Sequence, residues 1–93
     1  MKEIEEIKKA IHQVISVTSE DITSSCRQQD MVYARMIFAY HCIKCGVPKR
    51  QVCNELNRSA STVGYYLSMY EADFKYNAEF RYLAENVKLK LNN

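Results

Sequence analysis

The scarcity of turn-forming residues constrains this chain more than any other feature of its sequence. Its 93 residues include two glycines and one proline. A β-sandwich or β-barrel needs a turn about every 8–12 residues, and turns use glycine and proline more than most other residues. The sequence therefore favours helices joined by a few short corners, and its length predicts a single domain over residues 1–93.

The N-terminal third shows two helical patterns in succession. Apolar residues at three- and four-residue steps predict an amphipathic helix over residues 3–15. Thr18 and Asp21 have the spacing of a capping box, which predicts a short helical turn ending at about Ser24. Residues 24–29 are polar and lack periodicity, which indicates a loop.

The middle of the chain predicts a buried helix followed by a two-helix unit. Residues 30–45 are apolar on nearly every face, which is typical of a central core helix. We expect Gly46 to end this helix in a left-handed conformation, and Pro48 suits the first turn of the next helix. Two short helices are then predicted within residues 48–70.

The two-helix unit is expected to turn at Asn57 and Arg58, because asparagine tolerates a left-handed backbone better than other non-glycine residues. Ser59 is a favourable N-cap for its second helix, and Asn77 is one for a last helix. The positions expected to face inward in the unit are Val52, Cys53, Leu56, Val63, Tyr66, Leu67 and Tyr70. The chain is therefore predicted to be all-α, with five to six helices.

Positive charge is concentrated in the middle of the chain. The net charge is +2, and residues 26–70 hold six basic against two acidic residues, whereas residues 1–25 carry a net charge of −2. A basic segment between neutral or acidic flanks is typical of a surface that binds a polyanion. A solvated helical surface gives the same distribution and remains an alternative.

The cysteines raise the question of a metal site. His41 lies beside the C-x-x-C pair of Cys42 and Cys45, a spacing that zinc sites use. A structural zinc site needs four converging ligands, but these cysteines lie within a predicted helix and no second pair exists. We therefore interpret the four cysteines as small buried residues in a reducing cytoplasm, with neither a metal nor disulfides.

Catalytic residue types are not grouped in the sequence. His12 and His41 are far apart, no carboxylate pair stands out in the basic segment, and no serine or cysteine has the setting of a nucleophile. Neither a phosphate-binding glycine loop nor a dinucleotide fingerprint is present. We therefore expect no enzymatic activity, no cofactor and no small-molecule substrate.

Residues 48–70 have the arrangement of a helix-turn-helix, whose second helix enters the major groove of DNA and meets base edges with its first residues. The short hydrogen-bonding side chains at that end are Ser59, Ser61 and Thr62, and Tyr65 is expected to point outward beside them. The basic residues suited to neutralise phosphates are Lys49, Arg50 and Arg58. A plain helical hairpin in a bundle is the alternative interpretation.

Four motifs in a fixed order resemble one family. Residues 17–22 resemble its "V-x-x-E-D-L" turn, residues 24–27 with 32–35 resemble its basic loop and "S-x-x-R … V-x-A-R" helix, and residues 57–63 resemble its "R-D-H-S-T-V" signature. Residues 73–83 follow its usual closing helix. Over most of its length the chain thus resembles the C-terminal DNA-binding domain of the bacterial replication initiator DnaA.

The resemblance implies a Trp-repressor-like helix-turn-helix and roles for individual residues. In the family the residue that matches Arg27 enters the minor groove, and the residue that matches Arg35 lies near the phosphate backbone. The residues that match Ser61 and Thr62 lie at the major groove on the recognition helix. Gln28 follows Arg27 in the loop and is included in the expected DNA-binding set.

The chain also departs from the family. Ser59 and Ala60 replace the Asp-His pair that reads the family's recognition sequence, and Gln28 and Gln29 stand where the basic loop is often richer in arginine. Double-stranded DNA is therefore the expected partner, in an initiator-like or regulatory role, and other replication or regulatory proteins are further candidates. A protein-interaction module that kept the fold but lost base recognition is the alternative function.

The expected location is the cytoplasm, on the nucleoid. No charge-free run approaches the roughly 20 residues that a membrane span needs. The first residues are acidic and amphipathic, unlike those of a signal peptide. We therefore expect no membrane partner.

Overall fold

The computed structural model describes residues 2–92 and contains six helices within that range: α1 (Lys2–Ile15), α2 (Ser19–Thr23), α3 (Gln29–Lys44), α4 (Lys49–Leu56), α5 (Ala60–Tyr76) and α6 (Ala78–Leu91). No strand occurs between residues 2 and 92. The prediction of an all-α fold is confirmed. Helices α1, α3, α5 and α6 form a ring in which each packs against two others, and α4 packs on α3 and α5.

Helix α3 is the centre of this arrangement, as its pattern predicts. Nine of its sixteen residues are buried, among them Ile37 and Phe38 with no exposed surface. The core residues that surround it come from every other helix and include Ile11, Ile22, Leu56, Val63 and Phe80. A helix that is apolar on all sides is stable only when other elements cover it, so α3 fixes where the shorter helices lie.

The predicted corners are confirmed in their backbone conformations. Gly46 has φ +88° and Asn57 has φ +55°, both left-handed. The side chain of Thr18 caps α2 in a capping box with Asp21, and the side chain of Asn77 caps α6. Local chemistry therefore sets these boundaries, because each cap satisfies backbone groups that a helix end leaves without partners.

Three local predictions are wrong. The second helix of the unit extends to Tyr76, since no breaking residue follows Tyr70 before the cap at Asn77. Pro48 is the N-cap of α4 rather than part of its first turn. Of the four cysteines predicted to be buried, Cys42 is buried, Cys26 and Cys53 are half-buried, and Cys45 lies just beyond α3 and is exposed.

His41 is the uncharged polar residue of the core. It is buried on α3, and its Nε2 atom has no hydrogen-bond partner among residues 2–92. Burial lowers the pKa of His41 to about 4, and the positive charges of Lys44 and Lys88 add to the shift. The imidazole is therefore neutral at pH 7, and protonating it in the folded state is costly.

No helix within residues 2–92 combines the length and the apolar character that crossing a bilayer requires.

Acid should unfold the protein partly through His41. Its pKa is about 4 in the folded chain, against an ordinary value of 6.5. The unfolded state therefore binds the proton first, so stability is complete above about pH 6.5 and falls as the pH approaches 4. The expected loss between pH 7 and pH 4.5 is about 2–3 kcal/mol.

Urea unfolding of His41→Leu and of the parent protein at both pH values measures this contribution. The drop should be smaller in His41→Leu by that amount. An identical pH dependence in His41→Leu and the parent would contradict the assignment.

Candidate nucleic-acid interface

The basic loop, residues 24–28, is held from below by one buried arginine. Arg35 projects from α3 and is 2% exposed. Its guanidinium donates hydrogen bonds to four backbone carbonyls, those of Asp21 (3.2 Å), Ile22 (2.8 Å), Ser24 (2.9 Å) and Cys26 (2.8 Å). The rigid fork of arginine donors suits such a fan of acceptors. The segment just before Arg27 is thereby fixed to the core.

This burial contradicts the expectation, implied by the resemblance, that Arg35 is one of the DNA-binding residues at the phosphate backbone. Its donors face carbonyl oxygens inside the protein, so none is left exposed for a phosphate. Burial lowers the pKa of Arg35, with a further contribution from the positive charge of Arg58. Arginine nevertheless stays protonated in proteins, and here carbonyl dipoles take the place of a carboxylate partner.

Arg58 forms a second link between the loop and the helix-turn-helix. Its guanidinium donates to the carbonyl of Ser24 and, at 3.1 Å each, to those of Leu56 and Asn57. Arg58 therefore links the corner between α4 and α5 to the basic loop through hydrogen bonds to both. Arg58, placed among the phosphate-binding residues by the sequence, is half-buried and engaged in these bonds.

The first turn of α5 is closed by its own side chains. The Ser59 hydroxyl accepts a hydrogen bond from the Thr62 backbone N–H at 3.2 Å, and the two hydroxyl groups bond each other at 3.0 Å. Ala60, between them in sequence, is exposed and has no polar side-chain atom. Two of the expected base-contacting hydroxyls are thus used in capping.

The remaining candidate residues are free to meet a ligand. Arg27 and Gln28 are exposed on the loop that Arg35 and Arg58 hold. On the helix-turn-helix the exposed candidates are Lys49, Arg50, Ser61 and Tyr65. Tyr65 is 58% exposed, which confirms the prediction that it points outward. We call these six residues the exposed basic surface. It contains three cations and no carboxylate.

One further contact, which the sequence did not indicate, supports α4. The Lys8 ammonium on α1 lies 2.7 Å from Glu55 on α4 and 3.0 Å from the Ser19 hydroxyl. This is the one ion pair among residues 2–92. It removes Glu55, one of two acidic residues in the basic segment, from the charge available to repel a polyanion.

The cysteines do not assemble a metal site in the described part of the chain. No group of three or more histidine, cysteine or acidic residues there is arranged to hold an ion. Burial raises the pKa of Cys42 to about 12, with a smaller contribution from Cys45. A thiol that stays protonated at neutral pH is a poor metal ligand and a poor nucleophile.

Comparison with known protein families agrees with this arrangement. The family model described as the bacterial DnaA protein helix-turn-helix matches residues 4–68, from the first turn of α1 into α5. The chain belongs to this family. Membership in the DnaA helix-turn-helix family points to DNA binding. A comparison with curated proteins and one with solved structures gave no match.

The DnaA-type match includes both parts of the site. It covers the loop that holds Arg27 and the whole of α4, and it ends after the first half of α5. The resemblance of residues 73–83 to a closing helix lies beyond the matched range.

Removing the Arg35 guanidinium should destabilise the fold. Arg35→Met deprives four carbonyls of their donor in a partly dry site, which we expect to cost about 2–4 kcal/mol in the free energy of unfolding. Arg35→Lys should cost nearly as much, because one ammonium group does not reach four separate acceptors. Urea unfolding measures both variants.

The matched control is Arg27→Met, which removes an exposed guanidinium from the same loop. Its effect should stay within about 0.5 kcal/mol, as is usual for surface positions. Equal effects at the two positions would show that Arg35 does not hold the loop.

Proposed function

We propose that this chain binds duplex DNA, with α5 in the major groove and the basic loop against the adjacent minor groove. The observation that carries the proposal is the bonding of the loop to the corner before α5 by Arg58, over the anchor formed by Arg35. A helix-turn-helix presents its second helix to base edges. A loop fixed beside that helix carries Arg27 toward the neighbouring groove.

Charge supports the same proposal. Arg27, Lys49 and Arg50 are exposed, and none is bonded to a carboxylate among the described residues. Cations of this kind neutralise phosphates and release counterions, which supplies affinity that does not depend on sequence. We further propose a replication-initiator-like or regulatory role on the nucleoid in the cytoplasm, without catalysis.

The replaced Asp-His pair favours one alternative, a protein-interaction module that kept the fold. Ser59 is occupied as a cap and Ala60 offers no hydrogen bond, so two family reading positions contribute no polar group. Three large side chains with apolar surface are also exposed at the end of α5 and on α6: Tyr76 (79%), Tyr82 (68%) and Leu89 (61%). Side chains of this kind are common in protein interfaces.

A salt titration separates the two functions. With two to three phosphate contacts, at about −0.9 per contact, the slope of log affinity against log salt concentration should be about −2 to −3. Fluorescence anisotropy of a labelled duplex between 50 and 200 mM salt, roughly the range over which such contacts are screened, measures it. No binding at low salt, or a slope near zero, would support the interaction module instead.

Arg27 should matter more to binding than a cation elsewhere on the surface. A guanidinium in a narrow minor groove gains from the strong negative potential there, above all over A·T-rich steps. Arg27→Ala should weaken duplex binding by about tenfold. Lys44→Ala is the matched control, because Lys44 is exposed at the opposite end of α3 and lies over the Tyr40 ring. Equal losses in the two variants would remove the loop from the proposed interface.

A further inference from the structure

Gly64 has no structural reason to be glycine. It lies inside α5, where glycine is less favourable than alanine because it loses more backbone entropy on folding. A Cβ atom at this position would meet one described atom within 4 Å, the Lys49 Nζ at 3.5 Å, which is an ordinary contact distance. Its φ angle is not in the left-handed region. Neither packing nor backbone conformation therefore excludes a side chain at residue 64.

The Lys49 ammonium lies over Gly64, beside the position that a Cβ atom would occupy. It is the first residue of α4, is exposed, and has no hydrogen-bond acceptor or carboxylate partner among residues 2–92. The stripe of α5 beside it consists of the exposed Ser61, Tyr65 and Ser68 and the half-buried Gly64, which share one face at helical spacing. Helix α5 carries no charge of its own before Glu71. The ammonium is thus the charged group at the middle of this stripe.

We propose that Lys49 is a specificity-determining residue that reads guanine in the major groove, over the space that Gly64 leaves open. The inference rests on the proposed DNA binding and assigns Lys49 to a base edge rather than to a phosphate. A lysine ammonium donates to the O6 and N7 acceptors that guanine presents in the major groove. With no Cβ at residue 64, a base edge and the ammonium approach the helix backbone together.

The other polar groups at this end of α5 are less suited than Lys49 to distinguish guanine from other bases. The hydroxyls of Ser59 and Thr62 bond each other, and Ala60 has none. Ser61 and Tyr65 carry free hydroxyls that are both donor and acceptor, so they discriminate weakly between bases. Each of the three N–H groups of the lysine ammonium is a donor, and the group has no acceptor. It therefore disfavours base edges that present donors.

The experiment begins with the duplex sequences that the unmodified protein selects from a randomised pool. Affinities of Lys49→Met and Arg50→Met are then measured for the best selected duplex and for a scrambled one. Both variants remove one exposed cation from the start of α4. Lys49→Met should lower the ratio of selected to scrambled affinity about tenfold and abolish the enrichment of one guanine. Arg50→Met should weaken both duplexes alike.

Gly64→Ala provides a second variant that will fold, since it raises helix propensity. It should increase the melting temperature while lowering the same affinity ratio, because the new methyl group occupies the approach to the base. A uniform loss of affinity in Lys49→Met, with the guanine preference intact, would overturn the inference and leave the proposed function standing. If the unmodified protein binds no duplex at all, both fail.

Discussion

The buried guanidinium of Arg35 is the interaction on which the rest of the site depends. It donates hydrogen bonds, in place of water, to four backbone carbonyls that precede Arg27, and it projects from α3, the central helix of the core. A polar group in the core is tolerated only when its hydrogen bonds are made. The packing of α3 therefore fixes the position of the basic loop. Arg58 bonds the loop to the corner before α5 and so fixes the two relative to each other.

Local patterns predicted the helices and the caps at which most of them begin, although the end of α5 lies six residues beyond the predicted one. The periodicity of α1, the all-round apolar character of α3 and the caps at Thr18, Ser59 and Asn77 each depend on residues close in sequence. Arg35 depends instead on carbonyl groups 9 to 14 residues away, and Arg58 reaches the Ser24 carbonyl 34 residues away, neither of which a side-chain pattern displays. One signal was present: Arg35 is a lone arginine within a helix that is apolar on every side.

In the candidate site the predicted residues have different roles, whereas the sequence-based prediction gave them one role. Arg35 and Arg58 shape the surface from within, Ser59 and Thr62 close the helix end, and Arg27, Gln28, Lys49, Arg50, Ser61 and Tyr65 remain to meet a ligand. The sequence grouped all of these as DNA contacts because residue type alone does not show which donors the fold has already used. For the two arginines backbone carbonyls decide that division, and their positions become visible only when the chain is folded.

The central claim is that the loop and α5 form one surface for duplex DNA. Its most direct test is a two-dimensional ¹H–¹⁵N NMR titration of the labelled protein with a short duplex at low salt. The account predicts that amide shifts concentrate at residues 24–28, 49–50 and 58–65, and that the far ends of α3 and α6 stay unchanged. Shifts confined to the neighbourhood of Tyr76, Tyr82 and Leu89, or no shifts at all, would contradict it.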